Sequence, residues 1–180
     1  GKKLAQLHQI EGKFFGLDND NYIGSLEQIN KECGEWSEFY TNHRLLTLTA
    51  KARDQGLFEK KHCNWVEKLC QRLDELIPAC RPSLIHGDLW SGNLLIDTSG
   101  HPVLIDPAVY YGHPEMDWAM LSLFGSYPVE ALDHYQNLHP LEKGLNERKD
   151  IHQLYPLMVH LILFGKGYLN GAESTLKKYA

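Results

Sequence analysis

The run from Leu94 to Ile105 constrains this chain more than any other segment. Leu94-Leu95-Ile96-Asp97 and Pro102-Val103-Leu104-Ile105 are joined by Thr98-Ser99-Gly100-His101. Two short apolar runs about a polar, glycine-containing link form the pattern of a β-hairpin. A hairpin doubles back, so the residue after its second strand returns beside the residue before its first. Asp106 is thereby delivered next to Asn93 and to Asp88, five positions before Asn93. Three oxygen-bearing side chains at one spot suit Mg²⁺, a hard cation that takes few protein ligands and completes its shell with phosphate oxygens and water. Asp97 lies at the opposite tip, where an aspartate serves the turn.

The preceding stretch, His86-Gly87-Asp88-Leu89-Trp90-Ser91-Gly92-Asn93, has the H-x-D-x-x-x-x-N spacing of a kinase catalytic loop. It is followed by Ile105-Asp106-Pro107-Ala108-Val109-Tyr110-Tyr111-Gly112-His113-Pro114-Glu115-Met116-Asp117. On these residues the chain resembles the fructosamine (ketosamine) kinases, a branch of the aminoglycoside-phosphotransferase-like kinases with their two-lobed protein-kinase architecture. Trp90 and the Asp-Pro-Ala run narrow the likeness to this branch. It is densest from Leu84 to Gly125 and weaker over Leu4–His8, Trp36–Leu45 and His160–Tyr168.

The resemblance implies an ATP- and Mg²⁺-dependent kinase acting on the 3-hydroxyl of a ketosamine, the adduct of a sugar with a small amine or a protein amine. The phosphorylated adduct falls apart, so the outcome is deglycation. In that reading Asp88 is the base that orients the attacking hydroxyl, and Asn93 and Asp106 are the metal ligands. Leu95 and Ile105 form the floor under adenine, a role compatible with ordinary core packing. His86 packs and hydrogen-bonds the loop. Asp117 braces the loop from behind, or serves only as a first-turn acid favourable to the helix dipole.

Trp90 is read as a wall of the acceptor pocket, where an indole face suits both a sugar and a cationic amine; its alternative is a buried core ring. His160 resembles a helix histidine facing that pocket, against the plainer reading of a satisfied core histidine. Arg44 echoes a family position without an assigned role. Other hydroxyl acceptors (an aminoglycoside, choline or a free sugar) and a non-catalytic helical interaction module are the competing functions.

The rest of the chain reads as mainly α-helical with one small hairpin. Expected helices are Lys2–Ile10, Trp36–Gln55 closed by Gly56, Asn64–Ile77 stopped by Pro78, Pro114–Phe124, Val129–Leu138 and Asp150–Phe164, with a final turn over Thr175–Tyr179. Pro156 predicts a kink or a restart in the long helix, and Gly12–Gly24 reads as loop. The glycine-rich phosphate cover and phosphate-clamping lysine of a kinase upper lobe are not recognisable. The fold class expected is therefore the C-terminal, helical lobe of a protein-kinase-like α+β fold over residues 1–180: catalytic loop 84–93, hairpin 94–105, then Asp106. The N-terminal β-rich lobe is expected to be absent and the chain inactive alone. Self-association through an exposed face around Leu95 and Ile105 is a further expectation.

Composition agrees. At 180 residues and 43% hydrophobic the chain can bury a core. A net charge of −5 supplies no basic field for nucleic acid or an anionic membrane. Cys33, Cys63, Cys70 and Cys80 show neither a C-x-x-C pair nor a zinc spacing, which fits free thiols in a reducing cytoplasm.

Overall fold

The computed structural model describes residues 1–179. The chain opens with α1 (Lys2–His8), which buries Leu4, Ala5 and His8 on one face. Next comes a tight hairpin of β1 (Asn21–Ile23) and β2 (Leu26–Gln28), turned by Gly24 in the left-handed region. The predicted helix Trp36–Gln55 exists but is not uniform. It runs as α2 (Trp36–Tyr40), a π-helical turn (Thr41–Leu45) and α3 (Leu46–Asp54), and Gly56 closes it at φ 68°. The π turn rotates Arg44 and Leu45 into the core.

Two helices follow, α4 (Lys60–Cys70) and the short α5 (Leu73–Leu76). Residue Glu59 caps α4, accepting at its side chain while its own amide donates to His62 Nδ1 at 2.8 Å. Four short strands come next: β3 (Ser83–Ile85), β4 (Leu94–Ile96), β5 (Pro102–Leu104) and β6 (Tyr110–Gly112). The chain ends with α6 (Glu115–Leu121), α7 (Val129–Gln136), α8 (Leu145–Phe164) and α9 (Leu169–Tyr179).

The expected hairpin is present, as β4 pairs with β5 in the register Leu94↔Leu104, Leu95↔Val103 and Ile96↔Pro102. The expected fold class, a helical C-terminal lobe with one hairpin, is corrected. Three separate two-stranded antiparallel ladders occur among the described residues: β1–β2, β4–β5 and β3–β6. The last pairs Ser83↔Gly112, Leu84↔Tyr111 and Ile85↔Tyr110. Each is too short to carry a readable alternation, and β3–β6 is stabilised by partners far apart in sequence. The first lies partly in the segment read as loop.

Helix α8 is the spine of the main core. It buries Ile151, Leu154, Leu157, Met158, Val159 and Leu161; at about 1.5–3 kcal/mol per large apolar side chain this is on the order of 10 kcal/mol before entropy is counted. Pro156 neither breaks nor restarts it, and the helix spans Leu145–Phe164 with the proline inside. The missing proline N–H would have served the His152 carbonyl. The Tyr40 hydroxyl of α2 donates at this turn, to the adjacent Ile151 carbonyl at 2.7 Å, and lies 3.4 Å from the His152 carbonyl. The last helix is longer than the predicted Thr175–Tyr179 turn, because Ala172, Thr175, Leu176 and Tyr179 make one buried stripe. A smaller second core of Leu4, Ala5, Leu89, Trp118 and Tyr135 lies between α1, α6 and α7.

Candidate active site

Two ladders converge on the loop between β3 and β4. Ile85 ends β3 and pairs with Tyr110, so the three residues after Ile85 meet the segment just before Tyr110. The Ala108 amide accordingly donates to the His86 carbonyl at 2.9 Å. The Ile105 amide donates to the Asn93 carbonyl at 3.1 Å, one step beyond the β4–β5 register. His86 ties the two together, donating from Nε2 to the Ile105 carbonyl at 2.9 Å. Asp106 thus sits between two anchored neighbours, Ile105 and Ala108, both bonded to the loop that carries Asp88 and Asn93.

Asn93 is 6% exposed and donates from Nδ2 to the Asp88 carbonyl at 2.9 Å and to Asp88 Oδ2 at 3.3 Å. Both partners are acceptors, so the amide orientation is dictated and its Oδ1 is turned away from them. Asp106 is exposed and holds a left-handed backbone at φ 50°, alone among the described non-glycine residues. Such a conformation is stored strain, and aspartate tolerates it better than most residues. Gly87, at φ 81°, lets the loop pass the opposite strand, because a Cβ there would collide with the Ala108 carbonyl.

Burial pushes the Asp88 carboxyl above its ordinary range, while the nearby imidazoles of His86 and His160 and the Asn93 hydrogen bond oppose that rise. His86 has no free nitrogen for proton transfer: Nε2–H serves Ile105, and Nδ1 accepts the Asp88 amide at 3.3 Å. Asp117, fully buried in the first turn of α6, holds the loop backbone. Its Oδ2 accepts the His86 amide at 2.8 Å and its Oδ1 the Gly87 amide at 2.9 Å.

Trp90 is 38% exposed and meets Phe124 edge-on at 6.4 Å. Phe124 in turn lies 4.8 Å from the His160 ring, which also packs on Tyr168 at 5.1 Å and Phe164 at 5.4 Å. His160 donates from Nδ1 to the Pro156 carbonyl at 2.7 Å, leaving Nε2 as its free nitrogen. The sequence-predicted Trp90 and His160 are therefore ends of one aromatic ledge bridged by Phe124. Phe124 was legible only as the apolar end of a predicted helix. Leu95 is 50% exposed and Ile105 partly buried, and every residue of β4 and β5 is exposed, so the hairpin presents an open apolar surface.

Arg44 is fully buried away from this loop, stacked on Tyr110 at 4.1 Å and Phe39 at 4.5 Å. An apolar cavity of about 310 Å³ is lined by Leu4, Leu89, Leu94, Leu104 and Trp118. Asp88, Asn93 and Asp106 do not line it, so it is slack in the second core. The fold also gathers His113, Glu115 and His152, whose ligand-capable atoms lie within 4.8 Å of one another. Both Glu115 oxygens, however, are taken by Arg148, and His113 Nδ1 accepts the Glu115 amide. His152 Nε2 comes within 3.2 Å of Glu115 Oε2 but is misaligned, so both its nitrogens lack hydrogen bonds. A guanidinium on the carboxylate opposes a cation there, and Glu115 is accounted for by its ion pair with Arg148.

The chain is similar to several named kinases. A probable ketoamine kinase from Lactiplantibacillus plantarum is 40% identical over 99% of this chain and 65% of its own length. A protein-ribulosamine 3-kinase, chloroplastic, from Oryza sativa subsp. japonica is 37% identical over 99% of the chain and 53% of its own. The solved structure of a candidate fructosamine-3-kinase from Thermobifida fusca superposes with a TM-score of 0.92 at 40% identity, covering 97% of this chain and 61% of that one. The chain thus spans a little over half to about two thirds of these relatives' lengths. No described helix is long and apolar enough to cross a membrane. The family's model is matched across residues 1–180, so the expectation of an isolated lobe gives way to a compact kinase-like α+β fold: the chain belongs to the fructosamine kinase family.

Proposed function

We propose that this protein is an ATP-dependent ketosamine kinase working with Mg²⁺, and that its acceptor is the 3-hydroxyl of a sugar–amine adduct. The observation that carries this is the convergence of Asp88, Asn93 and the Ile105–Asp106 turn through mutual hydrogen bonds. In the reaction the acceptor oxygen forms a bond to the γ-phosphorus while the bond to the ADP oxygen breaks. Asp88 orients the hydroxyl and takes its proton, and burial makes it a stronger base than an exposed aspartate. The names of the ketoamine and ribulosamine kinase relatives support the acceptor class.

The donor set fits a hard cation. Asn93 Oδ1 is free of its internal hydrogen bonds, and Asp106, strained and exposed, follows the Ile105 amide that is bonded to the Asn93 carbonyl. Bound there, Mg²⁺ supplies charge neutralisation for the phosphates. The other roles fall to the chain: Leu95 and Ile105 form an apolar floor for adenine, and Trp90, Phe124 and His160 wall the acceptor side. Little covalent work is asked of the protein, since phosphoryl transfer is dominated by positioning and electrostatics.

The test is Asp88→Asn, assayed with ATP, Mg²⁺ and a fructosylamine. Phosphorylation of the 3-hydroxyl should fall by about 10²–10⁴-fold while ATP affinity holds. Undiminished turnover would remove Asp88 as the base.

A further inference from the structure

We infer that Gln28 is a positioning residue for Asp106: with Asn21 it grips the backbone just after the strained turn in which Asp106 stands, and so sets where that carboxylate is held. The inference rests on reading Asp106 as a Mg²⁺ ligand. Asn21 and Gln28 lie directly opposite each other at the open end of the β1–β2 hairpin. Side chains alternate along a strand, so this pair shares the inner face with Ile23 and Leu26, while Tyr22 and Glu27 between them face solvent. Gln28 is only 2% exposed.

The hydrogen bonds fix how each amide is turned. A main-chain carbonyl only accepts, so Gln28 presents Nε2 to the Ala108 carbonyl, at 3.1 Å, and to Asn21 Oδ1, at 2.8 Å. Its Oε1 then faces α8 and accepts the Tyr155 hydroxyl at 2.8 Å. Asn21 Nδ2 donates to the Val109 carbonyl at 2.8 Å, and its Oδ1 takes a second donor, Asn30 Nδ2, at 2.8 Å. Arg44 closes the line, donating from Nη2 to Asn30 Oδ1 at 2.8 Å. Two successive carbonyls are thereby tied through side chains to α8 and to the buried Arg44.

The importance of these carbonyls comes from the residue that precedes them. Asp106 holds φ 50°, a conformation that persists in a non-glycine residue only where its surroundings over-determine it. On its near side, the Ile105 amide and carbonyl are bonded to Asn93 and His86. On its far side, Pro107 has no N–H to offer, so the anchor is Ala108. The Ala108 amide is held by the His86 carbonyl and its own carbonyl by Gln28. Without Gln28 that carbonyl is orphaned in a buried site, and Asp106 can relax toward ordinary backbone angles. Partners that orient a metal ligand commonly govern metal affinity by about 10- to 100-fold.

The test uses the full chain with Mn²⁺ in place of Mg²⁺, since both suit carboxylate and carbonyl oxygens. Binding is titrated by electron paramagnetic resonance in the presence of ADP. Gln28→Met keeps length and bulk and removes both donors. Leu26→Ala removes core packing from the same strand and no hydrogen bond. Gln28→Met should weaken Mn²⁺ binding about 10- to 100-fold and speed amide exchange at Ala108 about tenfold or more, with α9 unchanged. Leu26→Ala should do neither. Turnover on the fructosylamine should fall at low Mg²⁺ and recover as Mg²⁺ is raised, with the KM for the fructosylamine unmoved. Unchanged Mn²⁺ affinity in Gln28→Met, or an equal loss in Leu26→Ala, overturns the proposal. If Gln28→Met does not fold, Asn21→Ala, at a half-buried position, carries the same test through Val109. Asp106→Ala binding Mn²⁺ as tightly as wild type would sink the metal reading itself, leaving exchange at Ala108 to judge the clamp.

Discussion

Acidification should unfold this protein chiefly through His113. The residue is 2% exposed, its ring 4.8 Å from His152 and 5.8 Å from Trp36. Burial, reinforced by the neighbouring His152, pushes its pKa down from 6.5 to about 3. The folded form is thus neutral across the range in which an unfolded histidine takes up a proton. The unfolded state binds more protons there, so stability is present above about pH 6.5 and is lost as pH falls toward 3. Between pH 7 and pH 5 the loss from one such group is about 2 kcal/mol. That figure depends only on the unfolded value, provided the folded one lies well below 5.

Glu115 acts in the same direction but later. Burial favours its protonated form, yet contacts with His152 and Arg148 outweigh that and bring it down to about 2, so its contribution is lost only below about pH 4.5. His139, also lowered by burial, contributes equally to wild type and variant. His113→Asn isolates the effect, because the Asn oxygen can replace Nδ1 as acceptor for the Glu115 amide. Urea unfolding followed by tryptophan fluorescence at pH 7, 6 and 5 should show the wild type losing about 2 kcal/mol more than the variant, about 1 M in midpoint. Parallel losses, agreeing within about 0.5 kcal/mol, would show that His113 is not held neutral.

Two further outcomes follow from the loop. Asp117→Ala leaves the His86 and Gly87 amides and His8 Nε2 without their acceptor in a dry site; at about 1–3 kcal/mol per orphaned group the loss should be about 3–5 kcal/mol by urea unfolding, and a loss under about 1 kcal/mol would deny the brace. The kcat profile of the fructosylamine reaction should have an acid limb above the ordinary aspartate range, because burial raises Asp88 and the base works only when ionised; a limb at or below about pH 4 would contradict that assignment.

The parts legible in the sequence were those whose partners are close along it. The β4–β5 hairpin, its polar tip and the glycine closing α3 follow from local turn chemistry and apolar runs. The return of Ile105 to Asn93 follows from hairpin geometry alone. The ladder β3–β6 was not legible, since three residues per strand carry no period and the pairing spans the whole catalytic loop. Nor was the π turn, which is set by where Arg44 finds aromatic rings and carbonyls in the core. That α8 runs on through Pro156 without a restart was not legible, since Tyr40, which donates at that turn, comes from another helix. His113 and His152 are likewise brought together only by packing.

The first turn of α6 shows what packing adds to the local reading of the site's support. Glu115 and Asp117 are two positions apart, about 200° around a helix axis, so their carboxylates leave on opposite sides. Glu115 is bound by Arg148 and approached by His152, both on α8, and so ties α6 to the main core. Asp117 faces the other way, onto the catalytic-loop amides and His8 of α1. One turn of helix therefore carries two buried acids that anchor the reaction loop to α8. In sequence Asp117 reads as a brace behind the loop or as an ordinary first-turn acid favourable to a helix dipole. What decides between those readings is near-complete burial with every oxygen engaged, a property of the packed chain.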